Sequence, residues 1–260
     1  MNPKTMAALA AEAMQKQLDV TPKPGLVDKN GTGAHVDLDY ATMQKVIAML
    51  VPHWETFAET GLFLAEKSDA EVSAVMEKVG EAVIDEIFAV TDGVNVYKGT
   101  VFCLGLFITA YYRLYRKGAP LTPETVSDQI ARLAAPIRRR KDTHGDWVNE
   151  SYQVGGALAE AQAGYRRWLN ALPLLREAVA KGEEARFFLY VVAHLEDSCL
   201  YYRAGAELAG NAATIAAYLY EHYNEEDVLA ACAYFERCHL STGGAGDILT
   251  LMLLADAVLR

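Results

Sequence analysis

Val101-Phe102-Cys103-Leu104-Gly105-Leu106-Phe107-Ile108, continued by Thr109-Ala110-Tyr111-Tyr112, is a 12-residue run that stays apolar until Arg113. A helix crossing a bilayer needs ~20 apolar residues, so this run is too short to span one. As a helix it is apolar on more than one face, which puts it at the centre of a bundle or at a subunit contact. Outward from it, helical periodicity dominates and no extended period-two alternation occurs. The spacing predicts helices over roughly 4–18, 38–66 (broken near Pro52), 69–90, 99–117, 122–135, 146–170, 184–208, 211–222, 225–238 and 245–259. Starts are marked: Thr122 caps before Pro123, Ser68 and Glu71 have capping-box spacing, and Asp37 or Asp39 can cap the second helix.

No Pro/Ser-rich linker and no internal repeat divides the 260 residues, so the expectation is one all-α domain of about ten helices over 1–260, its site in the inter-helix loops. A chain that is 52% apolar and 22% charged is neither disordered nor collagen-like. With 24 Lys and Arg against 34 Asp and Glu, the net charge of −10 disfavours nucleic acid and anionic membranes as partners. A phosphorylated substrate would therefore need local lysines, an arginine, helix N-termini or a divalent cation. The four cysteines form no C-x-x-C pair and read as reduced thiols, Met1–Gln17 as a first amphipathic helix rather than a signal peptide, and the protein as cytoplasmic.

Reactive side chains concentrate in five polar, glycine-bearing segments. Thr21-Pro22-Lys23-Pro24-Gly25-Leu26-Val27-Asp28 continues through Asn30, Gly31, Gly33, Ala34, His35, Asp37 and Asp39. It is longer than a helix connection requires, so it is either an ordered surface loop or a functional one. Asp92-Gly93-Val94-Asn95-Val96-Tyr97-Lys98-Gly99 opens onto the apolar helix, where Lys98 is either solvated or meets a phosphate at a helix N-terminus. Asp142-Thr143-His144-Gly145 leads through Tyr152 to Gly155-Gly156 and Glu160, and Glu196-Asp197-Ser198-Cys199 is followed by Arg203 and Gly205. Acids and bases this close in an apolar setting form either a structural ion pair or a site. Ser241-Thr242-Gly243-Gly244-Ala245-Gly246-Asp247 precedes the last apolar helix, but no strand precedes it, so it is neither a Rossmann fingerprint nor a P-loop. The basic run Arg138-Arg139-Arg140-Lys141 reads as a solvated turn that could also attract a phosphorylated tail.

In this order and spacing the five segments resemble the triphosphoribosyl-dephospho-CoA synthase family over nearly the whole chain. The Thr21–Asp28 segment with Gly33-Ala34-His35 and Asp37 is the most specific part. Departures from the family pattern are Tyr97 for a histidine, Leu158 for an arginine, Cys199 for an asparagine, Ser198 for a threonine, Ala204 for a glycine and Gln17 for a glutamate.

The resemblance implies a pentosyl transfer. The 2′-hydroxyl of 3′-dephospho-CoA attacks C1 of the ribose of ATP, expels adenine and makes the prosthetic-group precursor of citrate lyase or malonate decarboxylase. It further implies Mg²⁺ entering as Mg-ATP, with Asp28, Asp37 and Asp247 at the metal. Asp28, His35, Glu160 and Asp197 would be catalytic; Lys23, Asn95, Lys98, His144, Arg203, Ser241, Gly243 and Gly244 would bind substrate. The alternatives are a divergent relative that uses another nucleotide acceptor or hydrolyses an N-glycosidic bond, and a non-catalytic nucleotide-binding helical protein. A homodimer is compatible with the sequence.

Overall fold

A computed structural model describes residues 1–141 and 143–259. They form thirteen helices and no strand: α1 (Pro3–Asp19), α2 (Tyr40–Phe63), α3 (Asp69–Val90), α4 (Lys98–Arg116), α5 (Pro123–Ala134), α6 (His144–Tyr152), α7 (Gly156–Gln162), α8 (Arg166–Asn170), α9 (Leu172–Lys181), α10 (Glu184–His194), α11 (Ser198–Glu221), α12 (Glu225–Arg237) and α13 (Gly243–Val258). The all-α expectation holds, with more helices than the ten expected. None is long and apolar enough to cross a membrane among the described residues.

The apolar run becomes α4, which packs against α2, α3, α5, α7 and α13. Leu104, Leu106, Phe107, Ile108, Ala110 and Tyr112 are all fully buried. Gly105 lets Phe57 of α2 approach, since a Cβ there would lie 2.8 Å from the Phe57 ring. The last helix, α13, buries Leu249, Leu251, Met252, Leu254 and Ala255 completely and contacts α1, α4, α8, α9 and α10. Two helices thus form the centre, and both begin at a polar glycine-bearing segment.

The expected start signals operate: Asp39 accepts from the Thr42 N–H, Ser68 and Glu71 close a capping box, and Thr122 caps α5 ahead of Pro123. Four boundaries differ from the periodicity. Pro52 does not break α2, because buried Leu50, Trp54 and Phe57 anchor both sides of it. The single helix expected over 146–170 is three, interrupted by left-handed Gln153, Gly156, Gly164 and Tyr165. A side chain at Gly164 would collide with the Ser127 carbonyl, 2.3 Å away. α9 (Leu172–Lys181) forms in a stretch where the periodicity predicts no helix. The helix expected over 184–208 stops at His194, and α11 runs from Ser198 to Glu221 with a kink at Gly205 (φ 78°, ψ 173°).

Candidate active site

The N-termini of α4, α11 and α13 converge. Asp197 caps α11 with Oδ1 accepting the Cys199 N–H at 2.9 Å, while its Oδ2 accepts the Ala245 N–H of α13 at 3.0 Å. Asp247, in the first turns of α13, accepts the Thr100 hydroxyl and is also bonded by the Thr100 backbone at the start of α4. Glycines make this approach feasible: a Cβ at Gly244 would lie 2.8 Å from Asp197 Oδ1, and one at Gly99 would lie 1.9 Å from Asp247 Oδ2. Three positive helix ends are therefore occupied by two carboxylates.

Burial pushes Asp197 up to about 6. Burial pushes Asp247 up to about 7, and the neighbouring Asp197 charge adds to the effect. The hydrogen bonds oppose both shifts without cancelling them. Among the described residues no lysine or arginine stands within ion-pair distance of either carboxylate, and the largest influences on their pKa values are burial, hydrogen bonds and, for Asp247, Asp197, so the pair is under-compensated.

The long loop after α1 closes one side. Thr242 Oγ1 donates to the Pro24 carbonyl at 2.7 Å, and Gly25 (φ 84°) lies so close to the Leu240 carbonyl that a Cβ would be 2.2 Å from it. His35 Nε2 is 3.1 Å from Ser241 Oγ, which fixes the ring against the segment leading into α13. Its Nδ1 is buried with no hydrogen-bond partner and stands 3.9 Å from exposed Asp37. Burial first, then the Arg203 charge, lowers the His35 pKa against the opposing pull of Asp37. Arg203 is exposed and reaches back to the Ala34 carbonyl at 3.4 Å. Lys98, exposed at the start of α4, and Arg203 both act on His144. Asn95 is exposed on the turn before α4.

Three expected site residues are differently engaged. The Lys23 ammonium is buried and donates to the Gln17 and Leu18 carbonyls at the end of α1, at 2.7 and 3.3 Å. Asp28 accepts the Lys23 N–H (2.9 Å) and the Asn30 N–H (2.7 Å), which organises the loop itself. Glu160 pairs with Arg167 at 2.9 Å and accepts the Trp168 indole N–H at 2.8 Å. Among the described residues no group of three or more His, Cys, Asp or Glu side chains is arranged to hold a metal ion, so Asp28, Asp37 and Asp247 do not form one ligand set. Asp142 lies outside the described residues. Of the basic run, Arg139 bonds the Gly145 and Gly155 carbonyls and Arg140 pairs with Glu81.

Thr100, which holds Asp247, was missed by sequence reasoning although it adjoins Lys98-Gly99. Tyr165 was missed too, whereas Tyr97, left-handed at φ 56°, stands out in the sequence only as a departure from the family pattern. Their hydroxyls are buried without partners, and Asp247 helps raise both pKa values, after burial. Nothing in the local sequence of Tyr165 marks it for such a position.

A family model for ATP:dephospho-CoA triphosphoribosyl transferase matches residues 3–260. The chain is similar to proteins named "Probable 2-(5''-triphosphoribosyl)-3'-dephosphocoenzyme-A synthase" in three bacteria. The Azotobacter vinelandii protein is 34% identical over 273 residues, covering 96% of this chain and 90% of the relative. The Pseudomonas paraeruginosa protein is 31% identical (96% and 89% covered) and the Streptococcus pyogenes protein 27% identical (95% and 94%). No solved structure matches the chain.

Proposed function

The chain belongs to the ATP:dephospho-CoA triphosphoribosyl transferase family, and from that premise we propose that it joins the triphosphoribosyl group of ATP to the 2′-hydroxyl of 3′-dephospho-CoA with release of adenine. The observation that carries this reading is the under-compensated pair Asp197 and Asp247, set where three helices begin and rimmed by Lys98 and Arg203. Departure of adenine leaves positive charge on ribose C1. Two fixed carboxylates stabilise such an oxocarbenium-like centre, and they do so more strongly in a desolvated site than in water. The exposed cations suit the phosphates on either side of it.

His35 is the candidate base for the 2′-hydroxyl. Its lowered pKa keeps it neutral near pH 7, Ser241 fixes one nitrogen, and the other has no hydrogen-bond partner. Overall, the proton lost by the hydroxyl is the one adenine gains. Asp28 and Lys23 act one layer back, holding the loop that carries His35. Glu160 has no chemical step in this reading.

Mg²⁺ is brought by ATP in this scheme. It ordinarily binds one or two carboxylates together with phosphate oxygens rather than an all-protein cage, and the Asp197–Asp247 donor set fits that habit. When bound it would offset phosphate charge beside carboxylates that would otherwise repel it. The finer assignment, a precursor for citrate lyase or for malonate decarboxylase, rests on the resemblance alone.

Incubation with ATP, Mg²⁺ and 3′-dephospho-CoA, read by mass spectrometry, tests the reading. Free adenine and a coenzyme product heavier by a triphosphoribosyl group are expected. Free ribose triphosphate without the adduct would indicate hydrolysis, and ATP binding without adenine release would remove the transferase reading.

A further inference from the structure

Aromatic rings gather where α6 meets the first turns of α11, on the rim of the carboxylate site. The His144 ring stacks on Tyr202, with centroids 3.6 Å apart and planes 15° apart. Trp147 stands edge-on to Tyr202 at 5.7 Å and to Tyr152 at 5.6 Å. Trp147 and Tyr202 are nevertheless 46% and 41% exposed, and neither belongs to a buried apolar cluster. Folding alone does not account for two large rings ordered against each other in water. Lys98 and Arg203 lie close enough to lower the His144 pKa, after the larger effect of burial. Aromatic faces beside two exposed cations suit a nucleotide, with its base stacked and its phosphates paired.

We propose that Trp147 and Tyr202, braced by His144, seat the adenine ring of the acceptor, 3′-dephospho-CoA, while Lys98 and Arg203 meet its diphosphate. The proposal rests on the transferase reading and deepens it. The adenine of ATP is the leaving group, so a strong stack on it would hold the ground state and retard release. The acceptor's adenine takes no part in bond making, and binding energy gained there can be spent on aiming the 2′-hydroxyl. Position agrees: Tyr202 follows Asp197 by five residues, about 7–8 Å along a helix rising 1.5 Å per residue. That leaves room for a ribose between the platform and the carboxylates.

Two measurements on the full chain test this. In steady-state assays, Trp147→Ala and Tyr202→Ala each raise KM for 3′-dephospho-CoA about tenfold, as loss of a base stack does, and leave KM for ATP unchanged. Trp147→Phe keeps most of the affinity because it keeps a ring. Separately, 3′-dephospho-CoA quenches Trp147 fluorescence in the wild type and not in Trp147→Phe, whereas ATP quenches neither. The other two tryptophans, Trp54 and Trp168, are fully buried and make a constant background. An unchanged acceptor KM in both alanine variants, or no quench by 3′-dephospho-CoA, overturns the platform. A shift in KM for ATP instead assigns it to the donor and overturns it equally. If the wild type releases no adenine, the transferase reading fails, and the quench titration alone still decides the platform.

Discussion

The two ends of α4 both carry buried charge and deal with it in opposite ways. At the C-terminal end Arg113, 4% exposed, donates to the Ala65 carbonyl at 3.1 Å, to the Lys67 carbonyl and to the Asp69 carboxylate. Its charge is balanced and each of its three side-chain nitrogens donates a hydrogen bond, so it pins the α2–α3 connection. At the N-terminal end Asp247 and Asp197 share a desolvated space, are bonded by the Thr100 hydroxyl, the Cys199 thiol and backbone groups rather than by a cation, and are both pushed upward in pKa. A closed charge is a structural fastening. An unclosed pair of like charges at helix starts is a store of electrostatic potential that a cationic transition state or a cation can use.

The sharpest way to break this contrast is to neutralise one member of the open pair. Asp247→Asn keeps the size and an acceptor for Thr100, yet removes the charge. Adenine release should fall by about 10²–10³-fold, the usual cost of one preorganised electrostatic contact. The melting temperature should hold or rise, since a buried repulsion is relieved. Full activity together with lost stability would make the N-terminal end a fastening like the other.

The closed end should respond the other way round. Arg113→Met strands two carbonyls and a carboxylate, and breaking a buried pair from one side costs ~3–5 kcal/mol. The Asp69 side chain is 37% exposed, and water shares that cost; about 2–3 kcal/mol in a denaturant titration is expected. Turnover per folded molecule should not change. A comparable loss of turnover would mean that the two ends are coupled through the helix.

Why one end could be read in advance and the other only in part follows from what each depends on. The apolar run of α4, the caps at Asp39, Ser68 and Thr122 and the all-α class are local, because periodicity and capping chemistry act within a few residues. The five segments were legible as polar loops between helices, and the fold brings Lys98, Asp197, Arg203, His35, Ser241 and Asp247 around one region. The orientation of each side chain was not legible. Lys23 and Lys98 look alike as residue types, yet one ammonium is turned onto the end of α1 and the other is exposed. Glu160 and Asp247 are both acids in glycine-bearing segments, but only the tertiary packing brings Arg167 and Trp168 to the first. The breaks in 146–170 were missed for the same reason: Gly164 is needed because of the Ser127 carbonyl on α5, which is distant in sequence.

The pH dependence of stability gives a smaller effect that separates open from closed groups. Burial holds Asp197 up at about 6 and Asp247 at about 7 in the folded state, against 3.8 for a free aspartate. Between about pH 4 and 7 the folded state therefore holds more protons than the unfolded one, and stability falls as pH rises, by up to about 1.4 kcal/mol per pH unit for each proton. Lys23 is the opposite case: burial pulls it down to about 7 from 10.5 against the pull of Asp28 and Asp19. Above pH 7 the unfolded chain keeps a proton the folded one gives up, so stability rises toward pH 10. Denaturant titrations across pH should show the acid-side slope reduced in Asp247→Asn and the alkaline rise lost in Lys23→Met. An unchanged acid-side slope in Asp247→Asn would place its carboxyl in ordinary solvent.

Glu160 gives the smallest effect and the most direct trial of the lesson, because it is a carboxylate that, like Asp247, acts on Tyr165 but is itself closed. Its charge is met by Arg167, whose guanidinium also lies 4.3 Å from the centre of the Trp168 ring, and its second oxygen takes the Trp168 N–H. Glu160→Gln retains an acceptor for that indole and gives up only an ion pair whose arginine is 47% exposed, a loss of less than about 1 kcal/mol. If closure decides role, turnover measured by adenine release should stay at the wild-type level while Asp247→Asn, the same acid-to-amide change, nearly abolishes it. Should Glu160→Gln instead slow the reaction by a hundredfold, the pairing with Arg167 would have to open when substrate binds, and a closed charge could no longer be taken as a purely structural one.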